Sequence, residues 1–197
     1  MASFPGTVRD VKEWRRTIQG HDYLISTSRT LISAAFVNKA FASADMRWAK
    51  ELSANDLQTL LSQSLTLGVY LLSPAVPSPA DPLEPSSPRT PSPTLDKTED
   101  VEMVGMARFV TDYVTQLYLT DVYIQPQQRN RGLSSWLIKC CRNVIDDMPH
   151  LRRLLLVTSP DKEKFYGREL DCRLVNDESG LVCMTRKLFK TPEEAGT

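Results

Sequence analysis

The chain has 197 residues, and its 24 Lys and Arg balance 24 Asp and Glu to a formal net charge of +0. That length suits one domain with a full core plus a loop, and the balance leaves no global field to draw the chain to nucleic acid, anionic lipid or acidic substrates. Cys140, Cys141, Cys172 and Cys183 contain no Cys-x-x-Cys pair and lie far in sequence from His21 and His150, which argues against a zinc site or a disulfide framework and leaves them as small core hydrophobes in a reducing compartment.

Arg9, Asp10, Lys12 and Glu13 leave no apolar signal core at the amino terminus. No apolar run approaches the roughly 20 residues of a bilayer span. The expectation is a cytoplasmic protein, nuclear access left open, without membrane, nucleic-acid or metal partners. Residues 23–27 read as a first strand, and Ile32, Phe36, Val37, Ala40 and Phe41 mark a first helix. Residues 46–50 connect it to a second helix, for which Ser53 supplies an N-cap ahead of Leu57, Leu60 and Leu61. Residues 67–72 and 101–111 read as strands that flank a segment, 73–100, in which prolines recur from Pro74 to Pro93. Such density removes backbone donors and apolar patterning together, so the segment is expected to be a disordered or polyproline insertion extending one hairpin. Ser73, Ser78, Ser87, Thr90 and Ser92 each precede proline; they fit either a proline-directed kinase or plain Pro/Ser bias. Residues 121–124 read as a strand-like run, 154–157 as a buried fifth strand, 161–166 as a short helix and 180–184 as a final strand. Strands and helices alternating in this order predict a mixed α/β sandwich.

The densest signal lies where the strand ending at Ile124 meets a basic turn that opens into a helix. Leu133, Trp136, Leu137, Cys140, Cys141 and Val144 recur there at helical spacing. A helix N-terminus presents unpaired N–H groups and partial positive charge, and Arg129 and Arg131 add two full charges, so a diphosphate would sit well on this turn. A solvated basic connection is the plain alternative on spacing alone. Neither Gly-x-Gly-x-x-Gly nor Gly-x-x-x-x-Gly-Lys-Ser/Thr occurs, which excludes a Rossmann dinucleotide site and a P-loop.

Arg129-Asn130-Arg131-Gly132-Leu133-Ser134 resembles the Gln/Arg-x-x-Gly-x-Gly/Ala signature of the GNAT superfamily of acetyl-CoA-dependent N-acetyltransferases. Residues 64–70, 104–113 and 118–124 resemble the second, third and fourth strands of a small fungal and bacterial branch, and the likeness covers about residues 20 to 187. Asn130 stands where many members have Gly, and Asn is the next-best residue for a left-handed backbone. Ser134 replaces the final Gly or Ala. The segment from Phe165 to Cys172 lacks the glycine that the family carries near its end, which puts the following turn in question.

The resemblance implies a mixed, mostly antiparallel sheet flanked by helices and acetyl-CoA as co-substrate. It implies that residues 129–134 wrap the diphosphate, while Val122, Tyr123 and Ile124 pair with the pantetheine arm and supply backbone donors to the oxyanion. Transfer would go directly to an amine, whose pKa of about 10.4 leaves little of it reactive at neutral pH without a base. Asp121 and Asp112 are the nearest candidates for that base, or else hydrogen-bonding groups that fix the strand ends. Tyr118 occupies the place where histone-type members carry a catalytic glutamate. Tyr166 matches the tyrosine that many members use to protonate the departing thiolate; an ordinary packing pair with Phe165 is the alternative. Trp48 falls where the family places its acceptor wall, or in the core, and Arg108 is a second acceptor-binding candidate. The expected acceptor is a small-molecule amine and the expected assembly a monomer or homodimer. A catalytically impaired CoA-binding or regulatory protein and a protein-lysine acetyltransferase are the rival readings.

Overall fold

The computed structural model describes residues 10–74 and 99–175. It contains one six-stranded sheet in the order β1-β2-β3-β4-β5-β6, antiparallel throughout except for a parallel β5–β6 pair. The strands are β1 (Glu13–Ile18), β2 (His21–Ser26), β3 (Ser64–Pro74), β4 (Glu99–Thr111), β5 (Gln116–Ile124) and β6 (Arg153–Leu156). The helices are α1 (Ala34–Phe41) and α2 (Ala54–Ser62) on one face, and α3 (Leu133–Asp146) and α4 (Glu163–Leu170) on the other. The expected α/β sandwich is present.

Several elements follow from local chemistry. Ser53 caps α2 as its sequence predicts: its Oγ accepts from the Asp56 backbone N–H at 3.2 Å and donates to the Asp56 carboxylate at 2.7 Å. Ser33 caps α1 in the same way, accepting from Phe36 N–H at 3.2 Å. The apolar stripe of α3 is buried as its spacing requires, with Leu137 and Cys141 fully enclosed.

Other features depart from expectation. β1 is a strand that the sequence does not announce, because its polar residues carry no clear alternation and only Trp14 and Ile18 pack on the core. It forms through a hairpin whose turn residues, Gln19 and Gly20, have φ of 51° and 78°, as a primed turn demands. The insertion expected over 73–100 is narrower than supposed: Ser73 pairs with Asp100 and Pro74 with Glu99, so these residues continue the β3–β4 ladder. The rest of that segment, and the expected final strand at 180–184, lie outside the described residues. The turn after α4 needs no glycine: Asp171 takes the left-handed position, φ 54°, at the helix end.

Two irregularities shape the middle of the sheet. β6 pairs with β5 only from Gln116↔Arg153 to Leu119↔Leu156, whereas β5 runs on to Ile124 with β4 as its partner. Among the described residues, the sheet is therefore open on the β6 side of residues 120–124. On the β4 side, Met106 faces Tyr123 but Arg108 faces Thr120, so Asp121 and Val122 together oppose Ala107 in a bulge. Gly105 permits the close approach just beyond it, since a Cβ there would stand 2.5 Å from Ile124 Cδ1 and 2.9 Å from the Tyr123 carbonyl.

Candidate active site

A short 3-10 turn, Pro126–Gln128, separates β5 from the signature and aims the chain at the start of α3. Asn130 has φ 62° and Gly132 φ 77°, so the left-handed backbone inferred from Asn130 is present, and Gly132 avoids the strain an L side chain would meet there. No side chain caps α3, no acidic residue lies in its first turn, and the space where a Gly132 Cβ would project is open. The N–H groups of Leu133, Ser134 and Ser135 thus begin the helix without intrahelical acceptors, while the buried Leu133 side chain anchors it.

The two arginines have different tasks. Arg129 is tied down: its Nε donates to the Ile124 carbonyl at 2.9 Å, a terminal nitrogen bonds the Asp45 carboxylate at 2.6 Å, and the guanidinium lies 5.7 Å from the centre of the Tyr123 ring. That bond to Arg129, with its charge, holds the Asp45 carboxyl below its usual range. Arg129 is thus first a clamp between strand, turn and the residue 43–50 loop. Arg131 instead donates to the Tyr23 hydroxyl at 3.4 Å, and that hydroxyl donates to the Gln128 side-chain oxygen at 2.8 Å. No carboxylate is paired with Arg131 among the described residues, so its charge is available to an anion at the helix N-terminus. Tyr23, Gln128 and Asp45 were not foreseen, and no local signal marks them; each reaches the turn through long-range contact.

The bulge gathers the second group of residues. Alternation from Leu117 and Leu119 would turn Asp121 toward α3, but its φ of 51° directs the side chain to the opposite face. There Asp121, 4% exposed, accepts from Arg108 Nε at 2.7 Å, Trp48 Nε1 at 3.1 Å and Thr120 Oγ1 at 3.1 Å. Both carboxylate oxygens are occupied by these donors, which fixes the Trp48 and Arg108 side chains against the bulge. Trp48 is 63% exposed, which rules out core packing and leaves its ring standing over the bulge. Tyr118 is partly exposed on the same face, in a cross-strand row with Val110 and Leu155.

Asp112 takes up the strand-end hydrogen bonds that its sequence position left open. It caps the β4–β5 turn, accepting from the N–H groups of Val114, Thr115 and Gln116 and from the Thr115 hydroxyl. That hydroxyl first, then the three N–H groups, hold its carboxyl far below the usual carboxylate range. Asp121 stands five residues beyond Gln116 along β5, about 17 Å away.

Tyr166 lies on the α3 side. It packs half-buried against the core under α3, with Phe165 edge-on at 5.1 Å between ring centres. Burial first, and the nearby Cys141 second, push its hydroxyl up to about 12, so at neutral pH it holds a proton to donate. The structure thus sets Tyr166 and the α3 N-terminus on one face of the sheet and the Trp48–Arg108–Asp121 cluster on the other, with the open edge of β5 between them. Among the described residues, no helix is long and apolar enough to cross a membrane.

Comparison with known proteins fits this geometry. A family model described as the Acetyltransferase (GNAT) family matches residues 69–170. The chain is similar to a Gibberella zeae protein that bears the name acetyltransferase, 33% identical over 172 residues that cover 87% of this chain and 90% of that one. Among solved structures it resembles a Xanthomonas campestris protein named as a GNAT-family acetyltransferase, with 25% identity, a TM-score of 0.58 and coverage of 84% and 93%. A Staphylococcus aureus protein, 13% identical with a TM-score of 0.50 and coverage of 90% and 99%, shares the fold.

Proposed function

The chain belongs to the GNAT acetyltransferase family and is an N-acetyltransferase, and from that premise we propose that it acetylates the amine of a small molecule by direct transfer within a ternary complex. The observation that carries this reading is the uncapped start of α3, with left-handed Asn130 and Gly132, placed directly beyond the end of β5 that has no partner on its β6 side among the described residues.

Acetyl-CoA, the family's co-substrate, supplies the activated thioester. The N–H groups of Leu133 and Ser134, the Ser134 hydroxyl and Arg131 would hold its diphosphate, in a turn that Arg129 clamps to β5. The β5 backbone from Val122 through Tyr123 to Ile124 has no β6 partner, so its outward amides can pair with the pantetheine amides and donate to the acetyl oxygen as it gains charge. The acceptor approaches from the opposite face, across the bulge, between Trp48 and Arg108. Its neutral nitrogen attacks the acetyl carbon to give a tetrahedral oxyanion; the amine's surplus proton leaves to solvent, the C–S bond breaks as Tyr166 protonates the departing sulfur, and solvent returns a proton to the Tyr166 phenolate. Asp121 orients Trp48 and Arg108 and takes no proton. Most of the acceleration comes from holding the two substrates in line.

Calorimetric titration with acetyl-CoA tests this directly when paired with Ser134→Glu. The site is exposed and a carboxylate suits a helix N-terminus, so this variant keeps its fold while repelling a diphosphate. Binding by the native chain and its loss in the variant is the expected result. Equal binding by both would move the cofactor elsewhere.

A further inference from the structure

The start of α3 has a second cationic neighbour, which comes from β1. Trp14 and Ile18 pack on the core beneath α3, so Arg16, two residues from each along the strand, projects on the same face, where it is exposed. Its guanidinium lies over the Trp136 ring, 5.2 Å from the ring centre. No carboxylate pairs with it among the described residues. A cation–π contact engages the flat face of a guanidinium and leaves its in-plane N–H groups open to an anion.

Arg16 and Arg131 converge on Tyr23. Arg16 is the register partner of Tyr23 on β2, and Arg131 donates to the Tyr23 hydroxyl at 3.4 Å. The Trp136 N–H bonds the Gly132 carbonyl at 3.1 Å, so Trp136 stands one turn, about 5.4 Å, along the helix from the diphosphate turn. Two guanidinium groups without carboxylate partners therefore flank the first turn of α3, a repulsive arrangement that bound anions relieve.

The two flanks of α3 give the direction. Trp136 and Asp147 face β1 through Arg16 and Lys12, whereas Arg142 bonds the Glu169 carbonyl of α4 at 3.3 Å. Tyr166 belongs to that α4, and the open end of β5 lies toward β6. A cofactor whose sulfur is beside Tyr166 and whose diphosphate rests on the α3 N-terminus has crossed the helix start toward β1 by the time it reaches its adenosine end.

We propose that Arg16 binds the phosphomonoester on the ribose 3′-oxygen of CoA, one ribose beyond the diphosphate, and thereby selects CoA over the same molecule lacking that phosphate. This rests on the acetyltransferase reading and adds a second phosphate site to it. A phosphomonoester carries close to two negative charges at neutral pH and offers adjacent acceptor oxygens, which suit the Arg fork better than a single point charge.

The test is calorimetric titration of the full chain with CoA and with 3′-dephospho-CoA. The native chain should bind CoA about tenfold more tightly, as one charge-assisted contact allows, and the advantage should shrink as salt is raised. In Arg16→Gln, an exposed change on an edge strand, CoA should fall to the affinity of dephospho-CoA, whose own binding should not change. Arg131→Gln should weaken both ligands alike, because both carry the diphosphate. Equal binding of the two ligands by the native chain, or a preference that survives Arg16→Gln, overturns the assignment and leaves the acetyltransferase reading standing. It is overturned as well if Arg16→Gln weakens both ligands equally, or if Arg131→Gln alone removes the preference. Binding of neither ligand by the native chain overturns both readings together.

Discussion

On the α3 side of β5 the cofactor turn comes from one continuous stretch, residues 122–134, whereas on the α1/α2 side Trp48, Arg108 and Asp121 arrive from separate parts of the chain. The first is a backbone site, made from N–H groups and left-handed turns, and it tolerates side-chain change wherever φ is satisfied. The second depends on side chains aimed by a bulge and by cross-strand pairing. The contrast predicts that damage on the two sides is separable: cofactor handling fails through local charge, acceptor handling through lost register.

The largest expected effects test that separation. Tyr166→Phe should lower kcat by roughly a hundredfold to ten-thousandfold with little change in acetyl-CoA affinity, measured by single-turnover thiol release. Because the Tyr166 hydroxyl is pushed up to about 12, it imposes no falling limb on kcat between about pH 7 and 10. Its folded value lies above the unfolded one, so whatever stability burial of the neutral phenol contributes is whole below about pH 10 and lost as pH rises toward 12. A limb below pH 10 that disappears in Tyr166→Phe would contradict this burial.

Asp121→Ala should cost about 3–5 kcal/mol of stability, seen as a lower thermal midpoint, because it leaves the Arg108 guanidinium buried without its partner. Asp121→Ala, Arg108→Leu should recover much of that loss, while a base role for Asp121 would leave the double variant stable but stripped of its pH-dependent rate. Ser134→Glu should weaken acetyl-CoA by about a hundredfold, equivalent to about 2.7 kcal/mol, without lowering the thermal midpoint. If acceptor affinity measured in the absence of cofactor falls equally, the two sides are not separate. The smallest effect is Ser53→Ala: about 1 kcal/mol lost from the start of α2, with acetyl-CoA titration unaltered.

Legibility followed the same division. The α3 stripe, the Ser53 cap and the left-handed tolerance of Asn130 all depend on residues within one turn of each other, and each stands as its sequence implied. Asp112 stayed open between two roles because a strand-end aspartate looks alike whether it faces a substrate or its own turn; in the fold its carboxylate accepts from the turn N–H groups. β1 was missed because an edge strand with polar residues owes its form to β2, not to its own pattern. The engagement of Arg129 by Asp45 spans 84 residues, beyond the reach of any spacing argument.

By itself the sequence determined the helix faces, the caps, the alternation of strands and helices, and a phosphate-suited turn, because these depend on intrinsic backbone preference and short-range periodicity. Only the tertiary structure decided where β5 parts from β6, which way Asp121 points, and that Trp48 stands exposed over the bulge. Each of these is a consequence of strand register, and register is set by the whole packed sheet at once, since a one-residue difference between neighbouring strands sends a side chain to the opposite face.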